Sequence, residues 1–254
     1  MHYKFNTSHY FLNISLIIFS LMSSAAVFAV DVDIEPEADK ILKQMSQYLS
    51  DLKQFEITAQ STVETVMDSG QKIMLEHANK LTVKRPDKLF ASRVGDIVEQ
   101  NLYYDGKSLT LYAKQLGFYA SIDAPDTLSN TLDYALTKFN LTTPGVDLLH
   151  TDSYKRLSND LISAFYIGKS TINGIECHHL AFRNSEVDWQ IWIQTGDKPL
   201  PVKYVINSRW ITSSPSYSVI MDWNTKPDIS DAVFDFTPPK GVEKIDLLAA
   251  QPSL

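Results

Sequence analysis

Four consecutive residues, Glu176-Cys177-His178-His179, bring together a carboxylate, a thiol and two imidazoles, the groups from which metal sites and nucleophilic centres are made. The surrounding sequence reads as a strand, in which neighbouring side chains point to opposite faces. His178 and His179 therefore cannot chelate one ion together, whereas Cys177 shares a face with His179 and Glu176 with His178. A zinc site needs a third and a fourth ligand, and no second Cys or His cluster supplies them at motif spacing. A thiolate–imidazole pair of Cys177 and His179 is conceivable, but same-face neighbours are commonplace on strands and cysteine is usually buried and inert. There is no G-x-S-x-G elbow and no H-E-x-x-H, Glu76-His77 being an isolated pair. No glycine loop suited to a phosphate appears, and Asp231 and Asp235 read as turn and surface carboxylates. The expectation is a protein without catalysis, metal ion or cofactor.

The elements that carry these residues are plainer than any chemistry. In Val187-Asp188-Trp189-Gln190-Ile191-Trp192-Ile193 the odd positions are apolar and the even ones mostly polar, the mark of a strand with one buried face. Thr195 to Pro199 turns the chain, and Leu200, Val202, Tyr204 and Ile206 continue as the returning strand of an antiparallel hairpin. Near the start, Pro36 followed by Ala38, Ile41, Leu42, Met45, Tyr48, Leu49 and Leu52 predicts an amphipathic helix of about four turns. From Phe55 the period becomes two. Two long strands of about 10 to 13 residues flank the turn Asp68-Ser69-Gly70-Gln71, and long strands in one sheet twist and curl. Leu89 to Val94 is a third strand. Tyr103-Tyr104-Asp105-Gly106-Lys107 is a hairpin with a positive-φ turn, and Phe118 to Ile122 a further strand. A second helix is expected to start at Pro125-Asp126 and stop at Thr142-Thr143-Pro144-Gly145, with Leu128, Leu132, Ala135, Leu136 and Phe139 as its stripe. Val146 to Leu161 reads as short helical turns. Strands resume over Ala164–Ile172, Ile175–Phe182 and Tyr217–Trp223, and Asp231 to Pro239 closes the domain. The fold class is α+β: one domain of roughly ten antiparallel strands with helices before and within them.

The first residues read as an export signal. Lys4 precedes an apolar run from Phe11 to Met22, and small residues end at Ala29, so residues 1–29 are expected to be a cleaved signal peptide. The run falls short of the roughly 20 residues that span a bilayer. With no cysteine at the cleavage point, lipid attachment there is chemically closed, and residues 30–254 are expected as a periplasmic domain that does not span the membrane. Loss of Lys4 takes the net charge from −7 to −8, which disfavours nucleic acid. Cys177 is the only cysteine, so no internal disulfide forms. The protein is expected to be a monomer.

The order of elements resembles a family of bacterial periplasmic proteins similar to the lipoprotein carriers LolA and LppX. The residues that carry the likeness are Tyr104-Asp105-Gly106-Lys107-Ser108-Leu109-Thr110-Leu111-Tyr112, the helix start Ala124-Pro125-Asp126-Thr127-Leu128, the strand Val187 to Ile193, and the ending Phe234-Asp235-Phe236-Thr237-Pro238-Pro239-Lys240-Gly241-Val242. Together they lie within residues 35–246. The resemblance implies a curled antiparallel sheet forming a half-open β-barrel, closed by amphipathic helices around an apolar cavity that takes a lipid or acylated protein. It also implies a barrel arginine that responds to cargo, for which Arg85, Arg93 and Arg183 remain open.

On that reading the ligand-binding residues are Leu111 on an early strand, Leu132, Leu136 and Phe139 on the second helix, and Trp189, Ile191, Tyr204, Ile206, Val219 and Met221 on the central strands. Trp192, on the polar face of its strand, either sits under a loop or forms part of an exposed patch, and in the second case it is the candidate for a surface that binds an envelope protein partner. Two outcomes stay open on the sequence. Either the helices plug the sheet completely, or they form a lid over a face that its own side chains do not fill.

Overall fold

The structure, a computed structural model, describes residues 32–141, 143–211 and 213–249, and the expected signal peptide lies outside them. No helix among the described residues is long and apolar enough to cross a membrane.

A two-residue strand β1 (Asp33–Ile34) leads into α1 (Pro36–Asp51), which carries Pro36 in its first turn and buries Ala38, Ile41, Leu42, Met45 and Leu49. β2 (Gln54–Val66) and β3 (Lys72–Lys84) are 13 residues each, and β4 (Lys88–Gly95), β5 (Glu99–Tyr104), β6 (Ser108–Ala113) and β7 (Phe118–Asp123) follow as hairpins. Next come α2 (Leu128–Phe139), a 3-10 turn at Val146–Leu149 and α3 (Ser153–Leu157). β8 (Ser163–Ile172), β9 (Ile175–Arg183), β10 (Val187–Gln194), β11 (Pro201–Ser208), β12 (Ser216–Asn224) and β13 (Glu243–Lys244) complete the chain.

All strands join one sheet in the order β1-β8-β9-β10-β11-β12-β2-β3-β4-β5-β6-β7-β13. Its long neighbours are antiparallel. The sheet curls without closing, since β1 and β13 end its two edges; both run parallel to their neighbours β8 and β7. Each of these two edge strands is only two residues long, too short for alternation to mark it in the sequence.

The second helix begins later than expected. Tyr104 Oη and Thr131 Oγ1 both donate to the Pro125 carbonyl, so the helix starts only when Thr127 caps it by accepting from the Asn130 N–H. It also ends sooner, at Asn140, whose left-handed conformation turns its N–H onto the Ala135 and Leu136 carbonyls.

Hairpin turns alternate between two rims of the sheet. Turns 85–87, 105–107, 173–174 and 195–200 lie on a first rim, and turns 67–71, 96–98, 114–117, 184–186 and 209–215 on a second. α1 crosses the concave face between them. It starts beside Ser163–Ala164, at the β8 edge and second rim, and ends at β2 on the first rim. Under it, with the 3-10 turn and α3, lies the main core: Phe55, Leu180, Phe182, Trp189, Ile191, Ile193 and Tyr204 meet the helix stripe. The outer face is covered separately. The tail lays Phe236 among the rings of Tyr103, Tyr112 and Tyr119, with centroids 5.1–5.5 Å apart.

Candidate functional site

Because α1 runs diagonally, it does not extend over one corner of the concave face, at the second rim over β12, β2, β3 and β4. There the inward-facing positions change character. On β2 they run Phe55, Ile57, Ala59, Ser61; on β3 Val83, Leu81, Asn79, His77; on β4 Leu89, Ala91, Arg93, Gly95. The register pairs Ser61 with His77 and His77 with Gly95, and one step further Ala59 with Asn79 and Asn79 with Arg93. Three neighbouring strands therefore turn from apolar to polar at one level, and the polar side chains form a single island.

Its contacts are direct. Asn79 Nδ2 donates to Ser61 Oγ at 2.9 Å, and Arg93 Nη2 lies 3.0 Å from His77 Nε2. His77 is 2% exposed. Burial, and then the Arg93 charge, hold its imidazole below its usual pKa against the opposing pull of Asp96 and Glu76. A neutral ring accepts from the guanidinium, which is the geometry observed. Arg93 Nε is buried and has no acceptor among the described residues. Tyr217 on β12 adjoins the island; burial raises its phenol, with Ser61 and Arg93 opposing.

Gly95 makes room for the histidine ring. A Cβ there would stand 2.5 Å from the Glu76 carbonyl oxygen and collide with His77. Gly95→Ala is accordingly expected to cost about 1–3 kcal/mol through overpacking. Urea denaturation checks this, and a variant as stable as the parent would show that the ring has another resting place.

The expected ligand-binding residues divide into three groups. Trp189, Ile191, Tyr204, Val219 and Met221 are buried in the main core. Leu111, Leu132, Phe139 and Ile206 are half-buried. Leu136 is 42% exposed, so its assignment to the interior is corrected: the inward stripe of α2 is Leu128, Thr131 and Ala135, rotated so that Leu136 meets solvent. Hollows of about 230 and 420 Å3 formed by described residues are both bounded largely by outward-facing side chains. Of the expected residues only Met221 touches either one. Leu42, Met45 and Leu49 of α1 and Phe55, Leu180, Ile191 and Ile193 beneath it are all buried, so the part of the sheet under α1 is plugged by its own side chains.

Trp192 is also corrected. At 9% exposure it is no open patch: its ring stacks on His179 at 4.0 Å, Lys203 Nζ sits 4.8 Å from its centroid, and Cys177 and Val202 pack beside it. The β8–β9 hairpin supplies Ile172 and Ile175 to this small outer cluster. Cys177 is buried there, its thiol pushed up by burial and donating to the Ile175 carbonyl, the opposite of an activated nucleophile. His179 bonds to Gln190, and His178 to the Tyr166 hydroxyl on the other face.

The three arginines separate cleanly. Arg183 is on the surface in a two-bond pair with Asp188. Arg85 lies at the first rim over the Phe55 ring, 5.8 Å from its centroid, with Nε and Nη2 lacking acceptors among the described residues. Of the three, Arg93 alone stands in the uncovered corner. Ser61, His77, Asn79 and Tyr217 are not among the residues expected from the sequence, although the first three carry a signal there: polar residues interrupt the inward parity at matching heights on adjacent strands.

His77, His150, His178 and His179 all have their pKa lowered, with burial the first cause in each. The unfolded chain thus binds protons more readily than the folded one below about pH 6.5, and stability must fall as pH drops through that value. The depressed carboxylates Asp105, Asp188, Asp231 and Glu176 add their loss only near their own lower range. Thermal melts should show a lower Tm at pH 5 than at pH 7.5; an unchanged or higher one would contradict the burial argument.

Comparison with known proteins agrees with this architecture. A family model described as predicted periplasmic protein (DUF2092) matches residues 38–248. None of the curated proteins is similar to the chain. Among solved structures, an uncharacterized conserved protein from Thermus thermophilus is similar in fold: TM-score 0.50, 10% identity, 83% of this chain and 99% of that one. The Mycobacterium tuberculosis lipoprotein LppX has TM-score 0.44 and 11% identity over 77% of this chain and all of its own (100%). A LolA superfamily protein from Nitrosomonas europaea has TM-score 0.39 and 11% identity over 78% and 97%.

Proposed function

The chain belongs to the DUF2092 family of predicted periplasmic proteins, and from that premise we propose that it is a non-catalytic binding module for an acidic amphiphile. Arg93 receives the carboxylate or phosphate head, and the half-buried Leu102, Leu111 and Ile206 receive part of the apolar chain. The observation that carries this reading is the Arg93 guanidinium. It lies in a polar island at the margin of the apolar concave face, and among the described residues its one side-chain partner is a histidine kept neutral by burial and its buried Nε has no acceptor. A donor left short in this way costs roughly 1–3 kcal/mol, more when charged, and an acidic ligand returns that cost on binding.

The apolar part adds the larger share. Each buried methylene gains about 0.8 kcal/mol, and association and ordering remove several kcal/mol from the total. A chain of moderate length then binds in a reversible range. The plugged region under α1 limits how much chain fits the closed form, so a long chain requires α2 to move. α2 suits that role, for its stripe is short and Leu132 and Phe139 are only half-buried. An acidic head also favours a free lipid over an acyl chain attached to a protein. The covered ring of Trp192 gives no support to a protein partner docking there.

The test is direct. Protein purified without detergent is extracted for mass spectrometry and titrated with a fluorescent fatty acid, with a saturable one-to-one signal and a co-purifying acidic amphiphile expected. Neither lipid nor binding would leave the reading without support.

A further inference from the structure

The two rims of the sheet are built differently. On the first, turns 85–87, 105–107, 173–174 and 195–200 expose no large apolar side chain among the described residues. On the second, four successive hairpins each expose at least one. Trp210 (75%) stands in turn 209–215, Met67 and Met74 flank turn 67–71, Ile97 (70%) with Val94 marks turn 96–98, and Leu116 (70%) turn 114–117. Solvated hairpin tips have no folding reason to carry such residues, and among the described hairpin tips they occur on this rim alone, the other exposed large apolar residues (Leu136, Ile167, Ile245 and Leu248 among them) lying away from the tips.

We infer that the second rim docks the protein on the surface of an electrically neutral lipid bilayer. The charges on the rim select that partner. Three of its cations are engaged within the molecule, Lys72 with Glu64, Lys114 with Glu99, and Arg209 with the Asn184 carbonyl and near Asp188, while Lys244 on the β13 edge and Arg93 in the corner have no acidic partner among the described residues. Asp68, Asp96 and Glu186 have no cation partner among the described residues, which makes the rim neutral to acidic and unsuited to an anionic surface. The spacing argues for lipid over protein. Hairpin tips two strands apart are separated by about 10 Å, so the side chains form separate points and not the contiguous patch that a folded partner needs. A fluid interface accepts separate insertions, and a tryptophan prefers the headgroup level. Arg93 lies two residues from Gly95 and the 96–98 turn, so a docked molecule turns the uncovered corner toward the bilayer. The inference does not depend on the ligand proposed above.

The test uses purified protein with phosphatidylcholine vesicles. Expected are co-sedimentation that 1 M salt does not reverse, a blue shift of the emission of Trp210, and its quenching by brominated chains. Trp210→Ala, and separately the double variant Ile97→Ser with Leu116→Ser, should each lower partitioning by about tenfold. Ile167→Ser, exposed on the β8 edge away from the rim, should leave partitioning unchanged. Rim variants should still bind a fluorescent fatty acid in vesicle-free solution, which separates failure of docking from failure of ligand binding. Docking is overturned if vesicles are not bound, if rim variants bind them as the parent does, if binding needs anionic lipid and is released by salt, or if the rim variants lose only a protein partner.

Discussion

Arg93→Met is expected to weaken binding of a fatty carboxylate by about 10- to 100-fold while leaving the matching alcohol within about twofold. Methionine keeps the apolar stem and removes the charged donors, so it separates head recognition from packing along the chain. The magnitude follows from a charge-assisted hydrogen bond, worth about 1.5–3 kcal/mol. Arg85→Met is the comparison. Arg85 also has buried nitrogens without acceptors among the described residues, but it lies over Phe55 at the first rim, away from the uncovered corner. Its loss should leave the carboxylate affinity unchanged. Fluorescence titration of acid and alcohol against each variant decides the matter. Equal losses for both ligands would mean that the corner had collapsed, and no loss at all would remove Arg93 from the site.

The second large effect concerns the plugged half of the sheet. Ile191 is fully buried on β10, paired across the strands with Leu180 and Tyr204. Ile191→Ala should destabilise the protein by about 2–5 kcal/mol, the transfer loss plus the cavity it leaves. Urea denaturation monitored by circular dichroism measures it. A residue lining an empty hollow would lose only its partial burial, so a cost under about 1 kcal/mol would mean that the interior is open under α1. The folded variant should keep its affinity for the fatty acid, because the proposed ligand site lies in the other corner.

Much of this protein was legible in its sequence. A period of two placed the strands from β2 to β12, since each long strand has one face against the core and one against water. The helix spacing from Ala38 to Leu52 set α1, and the Asp105-Gly106 turn set its hairpin. Those signals are local, and local spacing fixes which residues share a face. The sequence also showed why Glu176 to His179 makes no chemistry, because alternation divides those side chains between two faces.

What folding alone decided is which face is inside, how far the sheet curls, and where the helix lies on it. Parity cannot tell the concave side from the convex, so it leaves Trp192 either covered or exposed, and only the packing of Ile172 and Ile175 from the β8–β9 hairpin decides that it is covered. Nor can spacing along one strand reveal that Ser61, His77 and Asn79 meet Arg93, because register between strands is set by long-range pairing. The diagonal of α1 fills one part of the concave face and leaves the corner of Arg93 uncovered. That division depends on packing between elements far apart in the chain, where volume and direction act and local pattern has no part.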